Sequence, residues 1–306
     1  MATKNDSTVL SVVHPVCCGL DVHKKKISAC LLRAGVAKDE SVIIREFGTF
    51  TDDIEQLGTW LAEHECPIVA MESTGVYWRP VHNILEGEVE VILVNARHIK
   101  NVPGRKTDIE DSRWLAGLLE YGLLRGNFIP AKEIRTWREL GRSRRKNTEA
   151  IGDYKRRVHK LFESANIKID SVVSDLFSMT GRNLISRLIS CSCVLSLADV
   201  QDCAKGSLRD KVQELYRSIH GFFEEHHRFL LTSMMRILKT LEQENEEISA
   251  RMKELMQAQQ DLLSRLDEVP GISELSAQYV LSELGPKLDT FPSSASFGIV
   301  GRTLSR

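Results

Sequence analysis

Three short β-rich runs, VCCGLDV (16–22), ISACLLR (27–33) and SVIIREF (41–47), follow one another through short, polar or Gly-containing connections, and they constrain the fold more than any other feature. Such runs predict three antiparallel strands in a meander. Residues 52–64 (DDIEQLGTWLAEH) then carry Ile54, Leu57 and Leu61 at helical spacing. A buried strand, PIVAME (67–72), a helix near 77–86, a second buried strand, EVEVILVN (88–95), and a helix from about 108 to 122 follow. The order β-β-β-α-β-α-β-α predicts a mixed sheet with helices on its faces.

That order is the one of an RNase H-like α/β domain, expected over 1–125. From about residue 131 the pattern becomes wholly helical. The segment 131–160 holds 11 Lys or Arg against 4 Asp or Glu, a local charge of +7 in a chain whose net charge is -1. This sets apart a basic helical nucleic-acid-binding region, expected over 126–221. Met234, Leu238, Leu241, Asn245, Ile248, Met252, Leu255, Gln259, Leu262 and Leu266 then alternate spacings of four and three. Such a seam predicts a coiled coil, expected over 222–268, with Asn245 at a position where a buried amide fixes register. Self-association through that coil is favoured over a helical hairpin within one chain. Pro270-Gly271 ends the coil, and residues 269–306 read as the start of a further domain.

Composition excludes little but is consistent with this. No run approaches 18 apolar residues, so a membrane span is not expected, and the N-terminus lacks the basic-then-apolar order of a secretory signal. Seven cysteines form no CxxC pair. They read as reduced, buried thiols of a cytoplasmic protein.

Acidic residues stand at three places where stability alone would not put them. Asp21 lies in an apolar run, where an ionised carboxylate is costly unless paired or bound to metal. Glu72 closes PIVAME and should sit at the C-terminal edge of its strand. Asp108 and Asp111 are three apart on the last helix, which Thr107 and Glu110 start as a capping box. Leu115 and Leu118 continue the face of Asp111, so these acids are expected to point towards the sheet. In an RNase H-like fold the first strand, the fourth strand and the last helix converge on one sheet edge. Four carboxylates there make a hard oxygen site suited to Mg²⁺ or Mn²⁺, able to serve phosphodiester chemistry.

GLDVHK (19–24), MESTGVYW (71–78) and KTDIEDSRWLAGLL (106–119) resemble the signature blocks of the DEDD-type insertion-sequence transposases, whose N-terminal domain is similar to the RuvC junction resolvase. The resemblance implies that Asp21, Glu72, Asp108 and Asp111 are catalytic metal ligands. It implies a recombinase acting on donor and target DNA, guided by a structured non-coding RNA. Protomers would join through the coil, in a bacterial or archaeal cytoplasm at the nucleoid. Family members also use a serine in a C-terminal domain. Here the chain reads FGIVGRTLSR and ends at Arg306, so that domain is expected to be incomplete, and Ser305 is not assigned as the nucleophile.

Arg135, Arg138, Arg142, Arg144, Arg145, Lys146, Arg156 and Arg157 are the expected phosphate contacts. His23 and Lys24 follow the first acid and would reach the scissile phosphate. VPGIS (269–273) reads equally as a helix-hairpin-helix phosphate turn or a plain helix start. His226-His227 lacks ligand spacing. The alternatives to the recombinase are a stand-alone Mg²⁺-dependent junction resolvase and a truncated, non-enzymatic copy that binds nucleic acid.

Overall fold

In a computed structural model of the chain, residues 11–37, 40–73, 75–95, 108–191 and 194–286 are described, without the side chains of 108–110. It divides into two compact units, Met1–Ile129 and Pro130–Arg306. The expected capping residue Thr107 and the closing segment FPSSASFGIVGRTLSR lie outside the described residues.

The first unit holds strands β1 (Val16–Val22), β2 (Ile27–Arg33), β3 (Val42–Phe47), β4 (Ile68–Glu72) and β5 (Glu90–Val94). Helix α1 (Thr51–Glu63) follows β3, α2 (Trp78–Leu85) follows β4 and α3 (Asp108–Glu120) follows β5. The sheet order is β3-β2-β1-β4-β5, with the first three strands antiparallel and β4 and β5 parallel to β1. This is the RNase H-like topology.

Strand side chains alternate between the two faces. Cys18 and Leu20 of β1 and Val69 and Met71 of β4 join Ile54, Leu57, Trp60, Leu61, Val81 and Leu85 of α1 and α2 in one core. Cys17, Ile68, Ala70 and Val94 bury the opposite face with Leu119 of α3. By the same alternation Gly19, Asp21 and Glu72 belong to the α3 face. Cys17, Cys18, Cys30 and Cys66 are free and buried, as expected of reduced thiols. Burial pushes the Cys17 thiol up to about 12, and those of Cys30 and Cys66 to about 11.

The second unit is helical: α4 (Lys132–Ser164), α5 (Met179–Ser190), α6 (Leu197–Cys203), α7 (Val212–Ser218), α8 (Glu225–Leu255), α9 (Gln260–Asp267) and α10 (Glu274–Leu284). The expectation of one unbroken coil over 222–268 needs correction. Helix α8 ends at Leu255, and a 3-10 turn at Gln257–Gln259 precedes α9. Within one chain, α8 runs antiparallel along α4. Arg144 Nη1 donates to Ser249 Oγ (3.3 Å), and four residues on, Asn245 Nδ2 donates to Thr148 Oγ1 (3.1 Å). The Asn245 amide therefore sets the register of an intrachain helix pair. Leu231 and Leu238 pack with Val158, Leu161 and Phe162 in the same core. Among the described residues no helix is long and apolar enough to cross a membrane.

Candidate functional site

Position 19 brings α3 down onto β1. A Cβ on Gly19 would lie 2.0 Å from the Ser112 carbonyl oxygen, 2.5 Å from the Ala116 amide nitrogen and 3.0 Å from Leu115 Cβ. Only glycine permits that approach, which is the meaning of a glycine inside a strand. Ser112, Leu115, Ala116 and Leu119 are correspondingly buried. The contacts also orient the helix. Cys17 Sγ donates to the Ala116 carbonyl at 3.5 Å, whereas Gly19 meets Ser112 as well, so α3 descends as β1 climbs.

This geometry positions the acids. From Gly19 to Asp21 a strand rises about 6.6 Å; from Ser112 back to position 108 a helix rises about 6 Å. The start of α3 therefore stands level with Asp21. The parallel register pairs Leu20 with Met71, so the next residues, Asp21 and Glu72, lie side by side near the C-terminal ends of neighbouring strands, on the same face. Asp21, Glu72 and the first turn of α3 thus share the C-terminal edge of the sheet. Asp21 is 15% exposed, and its Oδ2 lies 3.0 Å from His23 Nε2. Asp111 is exposed, which corrects the expectation that it turns into the sheet. It precedes Ser112 at the open edge, while Ser112 takes the buried position.

The donor chemistry fits a hard cation: Asp21, Glu72 and Asp111 bring carboxylates to this edge on elements held by backbone packing, and the backbone of position 108 starts the helix there. Asp21, Glu72, Asp108 and Asp111 would hold Mg²⁺ or Mn²⁺. Among the described residues, the one group of three whose ligand atoms fall within 4.8 Å of one another is elsewhere: Glu224, His226 and His227 at the start of α8. The sequence spacing counts against those histidines as ligands. His227 Nδ1, however, accepts from the Glu224 backbone N–H at 3.1 Å, so it caps the helix.

The basic helix differs from expectation. Arg142 forms a bidentate pair with Glu283 (2.9 and 3.0 Å), and Arg138 donates to the Ser282 and Glu283 carbonyls at 3.2 and 2.5 Å. Arg144 is only 8% exposed and donates to Gln278 Oε1 (2.9 Å), Ser249 Oγ and the Leu275 carbonyl (2.8 Å). Arg145 reaches Glu149 and the Tyr279 hydroxyl, both at 3.1 Å, and Arg135 donates to the Pro130 carbonyl at 2.8 Å. Five of the eight expected phosphate contacts thus hold the helical unit together, four of them at α10. Lys146, Arg156 and Arg157 are exposed; Arg156 pairs with Asp153, and Arg157 lies over the Tyr154 ring at 4.7 Å. VPGIS is a helix start: Gly271 has φ +91°, and Ser273 Oγ accepts from the Ser276 amide at 3.4 Å.

Several residues of the edge escaped the sequence reading. Gly19 carries a sequence signal, glycine inside a strand. Ser112 carried none. Phe50, at the α1 N-cap, is 79% exposed, an unusual place for an aromatic residue.

The chain matches the family model of DEDD transposases of the IS110 type, described as "Transposase", over residues 18–167. Among solved structures it is similar to T. thermophilus RuvC in complex with a Holliday junction substrate, at 11% identity, a TM-score of 0.28, and coverage of 37% of this chain and 100% of that one. No curated protein matches it. The family match takes in most of β1 with Asp21, β4 with Glu72, the helix beginning at Asp108 and the whole basic helix, and over these residues the chain is similar to the DEDD-type transposases.

Proposed function

We propose that this chain cuts and rejoins DNA strands as an insertion-sequence recombinase, with Asp21, Glu72, Asp108 and Asp111 holding Mg²⁺ or Mn²⁺ at the sheet edge. The observation that carries this reading is the convergence of β1, β4 and the start of α3 at one edge, set by Gly19 against Ser112. A bound divalent ion there would polarise a phosphodiester and stabilise the leaving oxygen. The chain's own part is to hold the acids on rigid elements and, through His23, to keep Asp21 oriented by a 3.0 Å contact. Residues 130–286 would serve as the nucleic-acid-binding unit, with Lys146, Arg156 and Arg157 on phosphates of DNA or of a structured guide RNA. Any joining of protomers in the cytoplasm would use a surface other than the α8 seam, which packs within the chain.

The test is cleavage of DNA carrying the element ends, with its adjacent RNA, in Mg²⁺, Mn²⁺ and chelator. Divalent-dependent cleavage that is lost in Asp21→Asn and Glu72→Gln supports the reading. A covalent protein–DNA adduct marks the recombinase; cleavage without one marks a resolvase. Cleavage unchanged by both substitutions would overturn the metal-carboxylate assignment.

A further inference from the structure

The edge that carries Asp21 and Glu72 also carries the end of β3, because β3 runs parallel to β1 with β2 between them. Asp21 pairs with Ser28, and Ser28 with Glu46, so β3 reaches the level of Asp21 two strands away. At about 4.8 Å per strand the lateral offset is roughly 10 Å. Just past that point the chain turns through Gly48, Thr49 and Phe50 into α1.

Phe50 occupies the N-cap position of α1, where Ser, Thr, Asp or Asn is favoured because its side chain can accept from a free helix amide. A phenyl ring cannot, and this one is 79% exposed. Its backbone is nonetheless held firmly. Asp53 Oδ2 accepts from the Phe50 amide at 3.2 Å, and a Cβ on Gly48 would come within 2.0 Å of that same oxygen. Thr49 Oγ1 donates to the Lys24 carbonyl at 3.0 Å, tying this turn to the β1–β2 hairpin. On that hairpin His23, Lys24 and Lys25 are exposed. The result is an exposed aromatic ring on a fixed backbone, tied to a hairpin bearing two exposed cations, at the edge that carries the acids. A residue that breaks a local rule on a well-held backbone points to function rather than stability. Aromatic faces beside basic side chains are the footprint of single-stranded nucleic acid, since every base has a stacking face and every linkage a negative charge.

We propose that Phe50 stacks an unpaired base of the DNA strand engaged at the acidic edge, while Lys24 and Lys25 hold the adjoining phosphates. The proposal rests on DNA being the substrate of that edge. Phe50 is then a positioning residue: it fixes where along the strand the acids act and favours DNA that is already melted or flapped.

The test compares binding of an oligothymidine and of an all-abasic oligomer of equal length by the full chain, in chelator so that neither cleavage nor metal enters. The two ligands share phosphates and differ only in bases. The wild-type protein is expected to prefer oligothymidine, and Phe50→Ala to lose about 5- to 150-fold in affinity for it, the range of one base–aromatic stack. Binding of the abasic strand should stay unchanged, and Phe50→Trp should restore the preference. Lys24→Ala with Lys25→Ala should weaken both ligands alike and flatten the salt dependence. A thermal melt of each variant reports folding. Equal preference for oligothymidine in wild type and folded Phe50→Ala would overturn the proposal. If the separate cleavage assay in Mg²⁺ and Mn²⁺ shows no cleavage even by wild type while Phe50-dependent binding in chelator is intact, the recombinase reading falls and base stacking at Phe50 stands.

Discussion

Replacing Gly19 by Ala tests the construction of the acidic edge with a single methyl group. The new Cβ would stand 2.0 Å from the Ser112 carbonyl oxygen and 2.5 Å from the Ala116 amide nitrogen, and both are helix backbone, which no rotamer change can move. Real Cβ atoms essentially never come closer than 3.0 Å, so α3 must retreat by about 1 Å or more. Overpacking of this kind costs about 1–3 kcal/mol. An opposing gain of about 0.4–1 kcal/mol comes from the stiffer unfolded chain, and the backbone clash exceeds it. For a unit of this size the net effect is a fall of roughly 3–10 °C in melting temperature. The same retreat carries the start of α3 away from Asp21 and Glu72, and a 1 Å misplacement can reduce turnover about 100-fold. Gly117→Ala is the control, because nothing lies within 4 Å of a Cβ there and alanine favours the helix. It should raise the melting temperature slightly. Calorimetry and a cleavage assay read both effects. A Gly19→Ala protein that melts within a degree of wild type and cleaves within twofold of it would refute the close approach of α3 to β1.

Three further outcomes follow from named contacts. Asp108→Asn should abolish divalent-dependent cleavage while leaving the melting temperature within about 2 °C, since a first-turn helix acid adds little stability; cleavage within tenfold of wild type would remove Asp108 from the ligand set. Glu283→Ala removes the carboxylate beside Arg142 and Arg138, though Arg138 keeps its two backbone carbonyl acceptors, and because Arg142 is half exposed the loss should be about 1 kcal/mol in urea unfolding, shrinking at high salt; a salt-independent loss would argue against the ion pair. Burial first, and then His226, hold the His227 imidazole below its ordinary 6.5, with Glu224 opposing. The unfolded chain then binds the proton more readily, so the contribution of His227 is complete above pH 6.5 and is lost as pH falls through the folded value. Stability of wild type relative to His227→Asn should therefore narrow on acidification, and a constant difference from pH 8 to pH 5 would contradict it.

What the amino-acid order determined was everything local or periodic. The three opening strands, the two buried strands and the helices between them follow from alternation and helical spacing, which need no knowledge of partners. The misplaced charges of Asp21 and Glu72 were legible because an acid in an apolar run conflicts with its surroundings at first sight. Contacts made at a distance were not legible. The heptad seam is apolar on one face whichever helix covers it, so only the tertiary structure decided that α4 of the same chain takes it, with Asn245 on Thr148. The basic run reads alike as free or paired charge until Glu283, more than a hundred residues away, binds Arg138 and Arg142. Gly19 looked like a weak point in a strand; packing made it the place where a helix backbone touches the sheet and brings its first turn to the acids. Local chemistry is written residue by residue, whereas which surfaces meet depends on how the whole chain closes upon itself.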